Sequence, residues 1–166
     1  MSTYSKAPSA VIEMANGVLC EFEIHRPILD AKVRIDYLFA HANDDKQPAI
    51  MHHGHPAIGR TRKISQMDRV AGRGDAEILL DAGWWLTAEK PQKLALLDHE
   101  LHHIELCDGK RDADGRPVLK IRKHDVEIGW FSIIAQRHGA DSMECQQAQA
   151  IFDRYGQAFW PTLAPR

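Results

Sequence analysis

Several features that define other classes of protein are scarce or missing in this 166-residue sequence. Cysteine occurs only three times, at distant positions, which argues against a disulfide framework and against a Cys-x-x-Cys metal site. No apolar run reaches the length of a membrane span, and no signal segment opens the chain. The net charge of −2 argues against a protein that coats nucleic acid. We therefore expect a soluble protein of the reducing cytoplasm with no membrane or disulfide partner.

The remaining composition fits a globular fold. The chain is 44% hydrophobic and 27% charged and shows no internal repeat, which predicts a single domain over residues 1–166 with its own core. Apolar periodicity predicts an α+β fold. The predicted helices cover 9–25, with Pro27 ending the first, 90–106, a stretch after 124, and 142–156. The predicted strands are 33–39, 58–64 and 76–81.

The most informative segment is the His-Glu-x-x-His pattern formed by His99, Glu100 and His103. On a helix, residues four apart differ by about 40° in direction, so both imidazoles face one ion. Glu100 lies on the same side, where a carboxylate can accept a proton from a water at an open zinc position. A single histidine on a helix is usually an ordinary solvent-exposed residue. Two histidines at this spacing with a glutamate between them indicate a zinc hydrolase.

The context of the pattern is helical. Leu94, Leu97, Leu101 and Ile104 form an apolar stripe roughly opposite the two histidines. Thr87 is the predicted N-cap, and residues 107–109 supply a stop. His102 points away from the ligand side, which indicates a solvent-facing or substrate-facing residue. Asp98 either orients the helix or a ligand or is a surface carboxylate.

A catalytic zinc ion usually has three protein ligands, so one more residue is required. His124 is the favoured candidate, because it stands at the head of a predicted helix that can fold over the first and that ends at Gly139. Glu127, one turn later, is the alternative. Asp125 is then a neighbour of the ligands or an ordinary helix N-terminal charge.

Two other groups of residues indicate a function less strongly. His52, His53 and His55 match no common zinc spacing, and they predict a loop that lines the cleft or lies on the surface. Basic residues cluster at positions 60–63 and 120–123. Such clusters are usually solvated, and the alternative is that they hold an acidic substrate or DNA near the metal.

Several blocks in fixed order resemble the phage metallopeptidase family, whose active site is related to that of SprT-like minimal zincins. The blocks are PAIMHHG at 48–54, DAEI at 75–78, WW at 84–85, LLDHEL at 96–101, GRP at 115–117, HD at 124–125, GWF at 129–131 and RHG at 137–139. The resemblance covers most of the chain. It implies a small zincin-like fold, in which a short mixed or antiparallel sheet packs on the active-site helix and further helices complete the domain.

The resemblance also implies roles for individual residues. His99, His103 and His124 correspond to the ligands of one zinc ion, and Glu100 corresponds to the general base. The implied activity is that of a zinc metallopeptidase that cleaves a protein or peptide substrate, in the host cytoplasm if the gene is carried by a phage. Four side chains are candidates to stabilise the oxyanion: His102, Arg137, His138 and Tyr155.

Two rivals remain open from the sequence. One is a non-catalytic, DNA-associated or phage-assembly protein in which zinc is a structural pin. Glu100 argues against it, because a structural site needs no base beside an open position. The other rival is a zinc amidase that acts on a non-peptide bond, since the same activated water serves either reaction.

Overall fold

The computed structural model describes residues 2–44, 47–52, 54–124 and 131–155. Its helices and strands confirm the predicted α+β class. The helices are α1 (Ser9–Glu21), α2 (Arg26–Asp30), α3 (Gln66–Val70), α4 (Ala82–Thr87), α5 (Lys90–His102), α6 (Ser132–His138) and α7 (Met143–Tyr155). The strands are β1 (Thr3–Lys6), β2 (Ile35–His41), β3 (Ile50–His52), β4 (His55–Ala57), β5 (Gly59–Lys63), β6 (Ala76–Asp81), β7 (Ile104–Arg111) and β8 (Pro117–Ile121).

The central sheet has four strands in the order β1-β2-β6-β5. The β2–β6 pair is parallel, whereas β1 pairs with β2 and β5 pairs with β6 in the antiparallel sense. Strand β6 is almost entirely buried, as expected for a central strand. Strand β5 is an edge strand of this sheet, and its register with β6 places Thr61 opposite Ile78.

One face of the sheet packs on α1 and α5. Side chains in a strand alternate between faces, and Ile78 and Leu80 of β6 share the face that meets the helices. They join Val18 of α1 and Leu97 and Leu101 of α5 in the main hydrophobic core. Burial of this apolar surface fixes α5 beneath the sheet, with β5 beside it.

The other face of the sheet is partly covered by a hairpin made of β3 and β4. Ile50 of the hairpin packs with Ala40 and Leu79, which face away from α5. The predicted loop at 52–55 is shorter than expected, because His52 and His55 are paired residues of this hairpin and Gly54 lies in the turn between them. His53 lies outside the described residues.

The predicted helix 90–106 is correct at its start and wrong at its end. It begins with a capping box between Glu89 and Gln92, so Glu89 is the N-cap, and Thr87 instead ends α4. It ends at His102, and Ile104 begins β7. The helical spacing of apolar residues continues into β7, where pairing with β8 determines the local structure.

The remaining predicted elements are found with shifted limits. The first predicted helix is α1 followed by a short 3-10 turn at Glu23–His25, and Pro27 lies in the first turn of α2 rather than ending a helix. A proline is tolerated there because the first turn has no partner for its N–H. Strands β2, β5 and β6 and helix α7 confirm four further predictions.

The cysteines and the lengths of the helices in the described part of the chain bear on the predictions about disulfides and membranes. Cys20, Cys107 and Cys145 are free thiols. None of the helices among the described residues combines the length and apolar character needed to cross a bilayer.

Candidate metal centre

Helix α5 places His99 and His103 side by side. The two residues are one turn apart, and their ring centroids are 5.1 Å from each other. His99 is buried, and His103 forms the C-cap of the helix. Since Leu97 and Leu101 anchor the opposite side of the helix in the core, both rings are held in one direction.

The β7–β8 hairpin brings His124 to the end of α5. Ile104 pairs with Ile121 at the base of the hairpin, and the Arg122 N–H donates to the His103 carbonyl at 2.8 Å. The strand that leaves the helix therefore returns beside it. His124 follows β8, and among the described residues α6 begins only at Ser132.

The three histidines converge. One ring nitrogen of each of His99, His103 and His124 lies within 4.8 Å of the other two, and the Nε2 atoms of His99 and His124 are 3.3 Å apart. Two nitrogens bound tetrahedrally to zinc at about 2.0–2.1 Å would be about 3.3 Å apart. The spacing of His99 and His124 therefore fits two ligands of one metal ion, and the three histidines form a candidate site for such an ion. Glu127 and Asp125, the other candidates in this region, lie outside the described residues.

The outward-facing nitrogens of two of these rings have acceptors. His99 Nδ1 is 2.6 Å from Glu144 Oε1, and His103 Nδ1 donates to the Arg122 carbonyl at 2.8 Å. A carbonyl oxygen can only accept, so Nδ1 of His103 carries the hydrogen and Nε2 keeps its lone pair. Acceptors of this kind orient the histidine ligands of metal sites.

The ionisation of these groups follows from burial and hydrogen bonding. Burial lowers the pKa of His103 to about 3, together with the charge of His99, so this ring is neutral and can act as a ligand. Burial alone would lower the pKa of His99, but the hydrogen bond with Glu144 and the negative charges of Glu100, Glu144 and Asp98 together outweigh burial and raise that pKa. Burial alone would likewise raise the pKa of Glu144, but the hydrogen bond with His99, the charge of His99 and hydrogen bonds from the backbone of Glu144 and Phe131 together lower it.

Glu100 lies between α5 and the edge strand β5. Its side chain is 2% exposed, and burial raises the pKa of its carboxyl group above the usual range. Thr61 donates a hydrogen bond to Oε2 of this carboxylate at 2.6 Å. A carboxylate with a raised pKa, on the same helix as two residues of a candidate metal site, is suited to accept and return a proton.

Phe131 packs against all three histidines. Its ring is fully buried, with centroid distances of 5.0, 4.7 and 4.8 Å to His99, His103 and His124. It also contacts His102 at 4.7 Å. An apolar ring at this position keeps water away from one side of the site and holds the imidazoles in place.

Asp98 is fully buried, so the surface alternative for this residue is wrong. Its carboxylate accepts hydrogen bonds from His25 and His138, each at 2.7 Å, and from Arg137 at 3.0 Å. Burial would raise the pKa of Asp98, but the bonds from His138 and His25 and the charge of Arg137 hold it well below the usual range. Asp98 thereby ties α5 to α6 and to the 3-10 turn before α2.

Most of the candidates for stabilising the oxyanion make other contacts in the structure. Arg137 and His138 bind Asp98. His102 is buried, which makes the solvent-facing prediction wrong, and its Nε2 is 3.1 Å from Arg122 Nη1. Burial lowers the pKa of His102 to about 4. The side chain of Tyr155 lies outside the described residues.

Three residues at the site were missed by sequence reasoning. Glu144 and Thr61 stand far from the motif in the chain, and only the tertiary fold brings them to His99 and Glu100. Phe131 belongs to one of the blocks that carry the family resemblance, which was a usable signal. The hairpin that carries His52 packs on the opposite face of the sheet, and among the side chains that the structure describes His52 is not part of the histidine cluster.

Comparison with known proteins identifies the family. The family described as "Putative phage metallopeptidase" matches residues 2–156. Comparison with curated proteins and with solved structures gives no match. The family name points to a peptidase that uses a metal ion, in agreement with the cluster of His99, His103 and His124. Because the match covers nearly the whole chain, the protein belongs to this phage metallopeptidase family.

Proposed function

We propose that the protein is a zinc-dependent peptidase that hydrolyses peptide bonds in a protein or peptide substrate. The observation that carries the proposal is the convergence of the ring nitrogens of His99, His103 and His124, with the buried carboxylate of Glu100 near enough to His99 for the two side chains to interact electrostatically. Three imidazole donors suit zinc and leave a fourth tetrahedral position open, as catalytic zinc requires. Family membership supports the metallopeptidase class.

The proposed chemistry divides between the ion and the chain. Zinc held by the three histidines would supply Lewis acidity, which lowers the pKa of a water toward about 7 and polarises a carbonyl. Glu100 accepts the proton of the attacking water and then transfers it to the leaving amine nitrogen, which ends the reaction with the carboxylate restored. Its burial and raised pKa support this role, because a more basic carboxylate is a better proton acceptor.

The test compares Glu100→Gln with wild type. We expect the variant to bind one equivalent of zinc, since Glu100 is not a ligand, and to lose cleavage of a mixed-sequence peptide library by about 10²- to 10⁴-fold. Metal analysis and mass spectrometry of the library measure the two effects. Glu105→Gln is the matched control, because the side chain of Glu105 is 45% exposed and pairs with Lys120.

The same experiment separates the proposal from its rivals. Full activity of Glu100→Gln would refute the assigned base. Zinc binding without cleavage by the wild type would favour a structural pin, and salt-sensitive binding to DNA would then support the DNA-associated alternative.

The three free thiols suit a reducing cytoplasm, and we propose that the enzyme acts there.

A further inference from the structure

The edge strand β5 encloses the carboxylate of Glu100 through two of its residues. Gly59 and Thr61 are two positions apart, so they face the same side of the strand, toward α5. Thr61 is 8% exposed and Glu100 is 2% exposed. The contact is therefore made in a largely dry environment, where a hydrogen bond to a carboxylate is strong.

The Thr61 hydroxyl has two acceptors on the same residue. Its Oγ1 is 2.6 Å from Glu100 Oε2 and 2.9 Å from the backbone oxygen of Glu100. A hydroxyl has one hydrogen, so it donates to one of these acceptors at a time. The carbonyl oxygen is thus an alternative acceptor for the same hydrogen.

Gly59 provides the space for the other carboxylate oxygen. A β-carbon at this position would lie 2.3 Å from Glu100 Oε1 and 2.9 Å from Cδ, distances at which the glutamate would have to move. Pairing of Gly59 with Leu80 of the central strand fixes the backbone at this point. The side chain of Glu100 is therefore confined by a hydrogen bond on one oxygen and by a close backbone on the other.

Packing alone does not explain a threonine at position 61. Valine has nearly the same shape and is at least as well suited to a buried strand position. A threonine hydroxyl in such a position needs a partner, and the partner here is the proposed general base.

We propose that Thr61 and Gly59 are positioning residues that orient the Glu100 carboxylate for proton transfer. Thr61 holds Oε2 and Gly59 leaves room for Oε1, so the carboxylate keeps one orientation in which it takes the proton from the attacking water and gives it to the leaving amine nitrogen. The proton of Thr61 stays on Oγ1 throughout. This inference rests on the proposed peptidase function, and it assigns to the edge strand the task of holding the base.

The test uses two variants at one position. Thr61→Val keeps the shape and removes the hydroxyl, whereas Thr61→Ser keeps the hydroxyl. With zinc-loaded protein and a library peptide that the wild type cleaves, we expect Thr61→Val to lower kcat at least 10-fold with KM changed less than threefold. Thr61→Ser should recover most of kcat, and both variants should bind zinc as tightly as wild type.

A second measurement does not depend on activity. In the zinc-free protein, Thr61→Val should lower the urea unfolding midpoint in the wild-type background and should lower it much less when Glu100 is replaced by Met. A wild-type kcat in Thr61→Val, an equal loss in Thr61→Ser, or additive effects on the midpoint would overturn the inference. A wild type that cleaves nothing would overturn the proposed function itself, and the two failures are therefore distinct.

Discussion

Two histidine clusters meet helix α5 at the adjacent residues Asp98 and His99, and they differ in the group that lies between the imidazole rings. In the Asp98 cluster, His25 and His138 each point a nitrogen at a carboxylate oxygen 2.7 Å away. In the metal cluster, the nearest nitrogens of His99 and His124 face each other at 3.3 Å. The first cluster carries its own negative charge, whereas the second offers lone pairs to a cation.

The comparison shows that histidines alone do not define a metal site. A ring whose Nε2 meets an acceptor is a donor and serves the fold, as at Asp98. A ring whose Nδ1 meets an acceptor presents Nε2 to the site, as His103 does through the Arg122 carbonyl. The position of the acceptor therefore separates a structural cluster from a candidate metal centre.

The largest expected effect is the loss of metal from one cluster only. His103→Ala removes one of the three proposed ligands and should weaken zinc binding more than about 100-fold. His138→Ala, the matched change in the Asp98 cluster, should retain one equivalent of zinc. Chelator competition measures both affinities. Equal affinities for the two variants would contradict the distinction between the clusters.

Breaking the Asp98 cluster should cost stability and leave the metal in place. Asp98→Asn removes the charge that Arg137 and the two histidines share, and loss of one partner from a buried charge cluster costs about 3–5 kcal/mol. Urea unfolding of the zinc-free protein measures this. Asp30→Asn is the control, because its pair with Arg26 is exposed and contributes less than about 1 kcal/mol.

A smaller effect should follow from the carboxylate behind the metal cluster. Glu144→Gln removes the charged acceptor of His99 Nδ1 and should weaken zinc binding about 10- to 100-fold, or about 1.4–2.7 kcal/mol. Gln149→Ala, an exposed change on the same helix, is the control. An unchanged zinc affinity in Glu144→Gln would show that the contact does not support the ligand.

The smallest expected effect is a dependence of the free energy of unfolding on pH in the acidic range. The pKa of Asp98 is lowered in the folded state, so its contribution is complete above the unfolded value of about 3.9 and is lost as the pH falls through the folded value. The loss is at most about 1.4 kcal/mol per pH unit. Urea midpoints of the zinc-free wild type and Asp98→Asn, measured from pH 7 to pH 3, should converge in acid. A constant gap would argue against this titration.

The part of the site that is local in sequence was predictable. His99, Glu100 and His103 lie within two helical turns, so their geometry follows from helical spacing alone. His124 required a guess about tertiary structure that the convergence of the rings supports. Glu144 could not be found, because its contact with His99 joins positions 45 residues apart and depends on how α7 docks.

The fold was predictable where one period runs undisturbed, as in α1, β6 and α7. It was not predictable at the end of α5, where Leu101 and Ile104 continue the helical spacing into β7. There the hydrogen bonds between β7 and β8 outweigh local preference. The same hairpin determines where His124 lies. The wrong prediction of the helix end and the difficulty of predicting the third proposed ligand therefore have one cause.

The base of the β7–β8 hairpin has a consequence for how the protein takes up metal. Without it, joining His103 to His124 through an ion would close a flexible loop, at a cost in chain entropy that grows with loop length. Pairing of Ile104 with Ile121 closes that loop before any ion arrives. Metal uptake is thereby separated from chain ordering, and the rate of zinc binding should be set by loss of water from the ion rather than by folding.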